Sequence, residues 1–269
     1  MGRGHPAGQP CEVITRFAPA PTGYLHLGHV LNALWVWETA RASAGSRVLL
    51  RIEDHDRQRS RAHFEDAILE DLAWLGFAAD GPVVRQSERG AIYEAALETL
   101  RARGLVYACE CSRSDIAGQR YPGTCAEKHL PELPGLGLRV KLDATVERFD
   151  DLRLGPQTQQ PSAQCGDLLA RDRDGNWTYQ FAVVVDDWKQ DVDLVVRGED
   201  LLDSTGRQIQ LARLLGRGAP PRFLHHPLLM KSAGQKLSKS DGDTGIRDLR
   251  AKGMSPDEVV RAARAFQHT

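Results

Sequence analysis

Two groups of residues, far apart in the chain, have types and spacings suited to phosphate chemistry. His26 and His29, in His26-Leu27-Gly28-His29, are three positions apart and so share one side of a first helical turn. Imidazoles placed there can donate hydrogen bonds to phosphate oxygens as negative charge develops. The segment before them, Arg16-Phe17-Ala18-Pro19-Ala20-Pro21-Thr22-Gly23, reads as a tight strand-to-helix turn. Amides at a helix start face outward and attract anions. Near the other end, Lys236-Leu237-Ser238-Lys239-Ser240 brings two ammonium groups and two hydroxyls onto a loop, with Gly234 and Gly242 to let it move. Cations there favour departure of pyrophosphate. Either motif alone reads as surface histidines or a solvated basic loop. Together they describe a site that grips the phosphates of ATP from two sides.

A third group concerns metal. Cys109, Cys111 and Cys125 lie close together, and three thiolates suit tetrahedral Zn²⁺, which takes four ligands. The C-x-C spacing is tighter than the usual C-x₂-C, and Tyr121, Asp115 and His129 all stand within range of the fourth place. Such a zinc is structural, because four protein ligands leave no open position. Cys11 and Cys165 read as plain thiols.

The elements that must carry these residues follow from pattern. Residues 13–17 read as a strand, 27–44 as a helix with Leu27, Val30, Leu31, Leu34 and Trp35 on one stripe, and 48–52 as a buried strand. Residues 61–75 and 88–103 read as helices. This β-α-β-α order predicts a parallel sheet covered by helices. Residues 109–165, rich in Cys, Gly and Pro, read as an insertion with short strands. The α/β pattern resumes with a strand from Trp177 to Val185, another over 192–197 and a helix from Thr205 to Leu215. One terminal helix over 256–266 closes the chain. The expected organisation is a loose leader over 1–10, a Rossmann first half over 11–108, the zinc-bearing insertion over 109–165, a Rossmann second half with the lysine loop over 166–240, and a short helical tail over 241–269. Trp35 and Trp74 read as core or near-core, and His225-His226 as either structural or close to the nucleotide.

Composition is that of an ordinary globular chain: 269 residues, 41% hydrophobic, 26% charged and a net charge of −1. That balance argues against a wholesale basic surface, although local clusters of Arg and Lys still suit a nucleic acid. No apolar run approaches the ~20 residues that cross a bilayer, and the N-terminal stretch has no apolar signal region. The cytoplasm is the expected compartment, where three of the five Cys, lying within 17 residues, point to metal rather than disulfides.

The P-x-P-T-G-x-L-H-x-G-H turn and the Lys236–Ser240 loop resemble the HIGH and KMSKS signatures of class I aminoacyl-tRNA synthetases, with Leu237 in place of Met. Arg16-Phe17-Ala18-Pro19 and Arg51-Ile52-Glu53-Asp54 narrow the resemblance to the glutamyl branch, over about residues 12–266. Within that branch the chain resembles the paralogues without an anticodon-binding region, on its short length after Ser240 and on Lys239-Ser240-Asp241-Gly242-Asp243-Thr244-Gly245. The resemblance implies a Rossmann-like α/β catalytic domain with a small zinc-bearing insertion and a short helical tail. It implies a ligase that activates L-glutamate with ATP and Mg²⁺ and transfers it to queuosine in the anticodon of tRNA(Asp), working as a monomer. It places ATP contacts at Pro19, His26, Gly28, His29, Lys236 and Lys239, with His26, His29 and Lys239 catalytic. It places glutamate contacts at Arg16, Phe17, Ala18, Pro19, Ala20, Glu53, Tyr179 and Arg197, and a zinc ligand at Tyr121 beside the three thiols. Charge agrees: glutamate brings two carboxylates for Arg16 and Arg197 to fork onto and one ammonium for Glu53, while Tyr179 adds a hydroxyl. Three other readings stand beside it. They are a trimmed glutamyl-tRNA synthetase charging a 3′ end, a nucleotidyltransferase using another small acid, and a non-catalytic binding protein on the same scaffold. The first is expected to need tRNA for activation, and the last predicts losses in the phosphate motifs that are not visible.

Overall fold

The computed structural model describes residues 12–265 except 113, 117–119, 229, 233, 234 and 237–244; for 230–232, 235 and 236 it describes the backbone alone. Strands β1 (Ile14–Phe17), β2 (Arg47–Ile52) and β3 (Val84–Arg85) lie side by side and parallel. Parallel neighbours need crossovers, and helices α1 (Leu27–Arg41) and α2 (Ala62–Trp74) supply them, as the alternating pattern predicts. A second sheet holds β9 (Leu194–Gly198), β10 (Arg222–His226) and β6 (Glu147–Asp151) in parallel, with β7 (Gly155–Gln159) antiparallel at its edge. Helix α6 (Thr205–Leu214) connects β9 to β10. The Asp193 N–H donates to the Ile14 carbonyl at 2.9 Å, and the Ile14 N–H to the Asp193 carboxylate at 3.2 Å, so β9 begins against β1. The third sheet is antiparallel: β4 (Val106–Cys109), β5 (Gly137–Val140) and β8 (Leu168–Arg171), the last preceded by the single-turn helix α4 (Pro161–Gln164), packed with α3 (Gly90–Arg101) and α5 (Tyr179–Lys189).

Helix α1 buries more than one stripe. Leu27, Val30, Leu31 and Leu34 face the core as expected, but Ala33, Val36, Trp37 and Ala40 are buried too. The helix lies in one core with strand residues Val48, Ile52 and Val196 and with Val259 and Ala263 of α8 (Pro256–Ala265), so both of its sides are covered. A helix enclosed in this way is apolar nearly all round. Trp37 is the buried tryptophan, its indole N–H donating to the Ala78 carbonyl at 2.9 Å, whereas Trp35 and Trp74 are half-buried beside the same core.

Three expectations need correction. The stretch from Trp177 to Val185 is not a strand: residues Tyr179–Lys189 form α5. Phe181 to Val185 are apolar and all buried, so periods of 2 and 3.6 leave the same unbroken apolar run. Two helices, not one, follow the lysine loop, because α7 (Ile246–Ala251) precedes α8 and docks Ile246 and Leu249 into the α1 core. The helix read over 88–103 is shorter, since Gln86–Glu88 form a 3₁₀ turn before α3 starts at Gly90. Strand β6, from the stretch 109–165, pairs with β10 in the second parallel sheet. Among the described residues no helix is long and apolar enough to cross a membrane.

One polar spine runs through this apolar framework. Arg51, fully buried in β2, lies 3.7 Å from Asp186 and 2.8 Å from Asp187, both on α5. Asp186 also accepts from Tyr93 Oη and Gln86 Nε2, each at 2.8 Å, and pairs with Arg89. Asp187 accepts from Arg16 Nε of β1 at 3.0 Å. Burial pushes the Asp187 carboxyl up, but Arg16 and Arg51 outweigh it and hold it below the usual carboxylate range. Removing one member of a buried ionic cluster leaves the rest uncompensated, at a cost of ~3–5 kcal/mol. Asp186→Ala is therefore expected to lower unfolding stability by about that much in urea titrations. A loss below ~1 kcal/mol would show that the spine is not needed for the fold.

Candidate active site

The turn between β1 and α1 is set by its prolines and by two long-range bonds. The Glu53 N–H, at the end of β2, donates to the Pro19 carbonyl at 2.9 Å, and the Arg61 N–H donates to the Pro21 carbonyl at 3.0 Å. His26 then caps α1. Its Nδ1 accepts from the Gly28 N–H at 3.0 Å, and His29 Nδ1 accepts from the His26 N–H at 3.1 Å. The rings lie 4.0 Å apart. A ring nitrogen that accepts carries no proton, so each neutral imidazole is held in the tautomer with its N–H at Nε2. The backbone thus makes a donor of each Nε2. Gly28 permits this, because a Cβ there would stand 2.8 Å from Cε1 of His26.

Of the eight residues expected to contact glutamate, the four charged or hydroxyl-bearing ones, Arg16, Glu53, Tyr179 and Arg197, lie near one another. Arg16, Glu53 and Arg197 are buried, and Tyr179 is half-buried at the start of α5. Burial pushes the Tyr179 phenol up; Arg197 and Arg16 oppose it, while Glu53 and Asp187 add to it. All four groups therefore lie within electrostatic reach of that phenol. Burial also pushes Glu53 up, against the pull of Arg51 and Arg16. Phe17 is buried in the α1 core, and Ala18, Pro19 and Ala20 line the turn between Arg16 and His26.

Arg197 is held from three sides. Its Nε donates to His225 Nε2 at 3.0 Å, Nη1 to Gln208 Oε1 at 2.6 Å and Nη2 to Thr205 Oγ1 at 2.9 Å. His225 Nδ1 in turn meets Asp151 at 2.7 Å. Burial, and next the Arg197 guanidinium, bring His225 down to about 4 even with Asp151 alongside. The imidazole is neutral near pH 7, donating from Nδ1 to Asp151 and accepting at Nε2 from Arg197. His226 lies elsewhere, stacked on Trp35 at 6.0 Å and bonded to Asn32 at 3.1 Å.

These supporting residues escaped the sequence reading. Asp187, Asp151, Gln208 and Thr205 belong to no motif; Arg51 entered only as part of Arg51-Ile52-Glu53-Asp54, and His225 only as structural or close to the nucleotide, with no supporting role read for either. Signals existed: Arg51 sits between Leu50 and Ile52, and Asp186-Asp187 interrupt an apolar run, where an unpaired charge has no place.

The lysine loop is reached only at its edges. Lys239 and Ser238 lie outside the described residues, and Lys236 is described by its backbone, in the ribbon of β11 (Met230–Ser232) and β12 (Gln235–Lys236). Where the description resumes, Gly245 bridges His26, and the Ile246 N–H donates to the Leu25 carbonyl at 3.0 Å. The segment following the loop is therefore tied to the histidine turn.

The thiols of Cys109, Cys111 and Cys125 lie within 4.8 Å of one another. Tyr121 Oη stands 3.5 Å from Cys109 Sγ and accepts from the Cys125 N–H at 2.9 Å. Asp115 instead accepts from Ser112, and His129 is exposed. Arg139 Nε donates to Cys109 Sγ at 3.2 Å. Gly166 clears the space: at φ +67°, a Cβ would fall 2.0 Å from the Tyr121 carbonyl oxygen. Two buried sulfurs and one half-buried sulfur, with a phenol and a guanidinium beside them, fit a closed metal site.

Comparison with known proteins agrees with this geometry. Residues 12–269 match the family model for the catalytic domain of class I tRNA synthetases (E and Q). A glutamyl-Q tRNA(Asp) synthetase of Rhodobacter capsulatus is 41% identical, with 93% of this chain and 99% of that protein covered. One from Bordetella bronchiseptica is 47% identical over 85% of this chain and 75% of that protein. The crystal structure of a glutamate tRNA ligase from Elizabethkingia meningosepticum, in complex with its amino acid, superposes with a TM-score of 0.75 at 30% identity over 86% of this chain. The chain spans 53% of that ligase. By sequence, fold and motifs, the chain belongs to the class I tRNA synthetase family for Glu and Gln, as a ligase of the glutamyl-Q tRNA(Asp) synthetase group.

Proposed function

We propose that this chain activates L-glutamate with ATP and transfers the glutamyl group to queuosine in tRNA(Asp). The observation that carries this reading is that Arg197, Arg16 and Glu53 lie within electrostatic reach of the Tyr179 phenol, with Arg16 on the strand that leads into the turn presenting His26 and His29. Arg16 and Arg197 supply cations for the two carboxylates of glutamate, Glu53 an anion for its ammonium, and Tyr179 a hydroxyl. The stretch from Phe17 to Ala20 forms the wall between amino acid and nucleotide. Pro19, Gly28 and the Nε2 donors of His26 and His29 are assigned to the phosphates, as are Lys236 and Lys239 on the strength of their motif.

The chemistry asks little proton transfer of the enzyme. The α-carboxylate of glutamate is ionised at pH 7, so its oxygen attacks the α-phosphorus without a general base. A P–O bond to pyrophosphate breaks as the mixed anhydride forms. The barrier is the approach of two anions, lowered by fixed donors and by holding the reactants in line. Mg²⁺ travels with ATP and offsets its charge. In the second step a hydroxyl oxygen of queuosine attacks the glutamyl carbonyl carbon. The ester bond forms, AMP leaves with the electron pair of the broken anhydride, and the hydroxyl proton passes to its phosphate.

Cys109, Cys111, Cys125 and Tyr121 would hold one Zn²⁺, whose role would be structural, tying the loop between β4 and β5 together. We read the chain as cytoplasmic, where its tRNA substrate is found, and as a monomer.

Glutamate-dependent ATP–pyrophosphate exchange is expected without any tRNA. Nucleoside mass spectrometry of tRNA(Asp), incubated with the protein, ATP and labelled glutamate, should find the label on queuosine. Exchange seen only with tRNA(Glu), with the label at a 3′ end, would favour 3′-end charging instead. Lys239→Ala should lower exchange ~10²-fold or more with the melting temperature unchanged; activity within a factor of two of wild type would remove Lys239 from the mechanism. Elemental analysis should find about one zinc per chain, and C109S/C111S protein should lose it. Well under half an equivalent in carefully purified wild type would rule the zinc out.

A further inference from the structure

A pocket of about 310 Å³ opens between the thiol cluster and helices α5 and α6. Neither the turn from Phe17 to His26 nor β2 lines it. Its size is at the low end for small-molecule sites, enough for one nucleobase or sugar-sized ring. Two arginines face it. Arg139, 5% exposed, lies 3.6 Å over the Tyr121 ring and gives Nε to Cys109 and Nη1 to the Asp167 carbonyl. Arg207 differs: its Nε is buried and donates to no group among the described residues.

The acceptors on the wall are already engaged. The Asp167 carboxylate accepts from Tyr107 Oη at 2.6 Å and the Leu142 N–H at 2.9 Å. The Gln180 carbonyl oxygen accepts from Gln208 Nε2 at 2.9 Å, and the Thr178 hydroxyl donates to the Leu169 carbonyl at 2.5 Å. A buried donor left unmet is costly, and a site with an unmet donor and engaged acceptors suits a ligand that brings acceptor oxygens. The pocket also adjoins the proposed glutamate site. Tyr179 lines it, and Gln180 is linked through Gln208 to Arg197.

Resting on the function proposed above, we infer that this pocket seats the cyclic vicinal diol of the acceptor nucleoside, with Arg207 donating to its oxygens beside the activated glutamyl carbonyl. The oxygens of the diol and of an RNA phosphate can both accept from Arg207, although only the diol also donates, so the test separates them.

Cys165, whose half-buried thiol lies on the pocket wall, reports occupancy in the wild-type protein. Queuosine nucleoside, at a concentration that saturates its inhibition of transfer, should slow alkylation of Cys165 by N-ethylmaleimide at least threefold by peptide mass spectrometry. Guanosine, with a ribose but no cyclopentenediol, should not. In Arg207→Gln the ratio of transfer to exchange, each as kcat/KM, should fall at least tenfold, and Arg207→Lys should recover part of it. If wild type puts no glutamate on queuosine, the function proposed above is what fails. If wild type does, the pocket assignment is overturned by any of three results: unchanged Cys165 reactivity, equal protection by tRNA(Asp) carrying guanosine at the wobble position, or an Arg207→Gln ratio like wild type. Should Arg207→Gln not fold, the Cys165 measurement decides alone.

Discussion

The site depends on one electrostatic constraint: two adjacent carboxylates, Asp186 and Asp187, buried on α5. Buried charge is tolerated only when it is paired and hydrogen-bonded. Arg51 from β2 meets both, Arg16 from β1 meets Asp187, and Arg89, Tyr93 and Gln86 from around α3 meet Asp186. Satisfying the pair thus sets α5 against the first parallel sheet. Arg16 and Tyr179 are carried on those two elements, so the same pairing that offsets a desolvation cost also fixes where a substrate carboxylate can be met.

Orientation without net proton movement recurs across the site. The His26 and His29 tautomers are set by backbone amides, before any phosphate arrives. His225 stays neutral because burial and Arg197 outweigh Asp151, and it therefore offers Arg197 an acceptor rather than a like charge. Donors fixed in this way need no reorganisation when charge develops, which is the source of electrostatic catalysis. The thiol cluster is tied to the same region. Arg139 bridges Cys109 to the Asp167 backbone, and Tyr121 lies in the wall of the pocket that Tyr179 also lines. A metal there would hold that wall in place.

The motif residues were legible in the chain because local geometry suffices for them. A turn, a helix start and a three-residue spacing put His26 and His29 side by side, and short spacing made Cys109, Cys111 and Cys125 neighbours. The α/β alternation over residues 13–103 was legible for the same reason, since each helix and strand carries its own period. The stretch from Trp177 to Val185 was misread because enclosure on all sides erases the period that separates helix from strand. A second helix after the lysine loop was missed because α7, at six residues, is too short to display one.

What the sequence by itself determined is the chemical inventory and its nearest-neighbour order: which groups can meet phosphate, carboxylate and metal, and which turn or loop presents them. Only the tertiary structure decided the pairings across long separations. Asp187 finds Arg16 and Arg51, His225 finds Arg197, and Arg207 is left with a buried donor that no group among the described residues meets. The reason is physical. Periodicity records which face of an element is apolar, but a buried charge is compensated by whichever partner the packing brings within about 3 Å, and no local spacing encodes that partner.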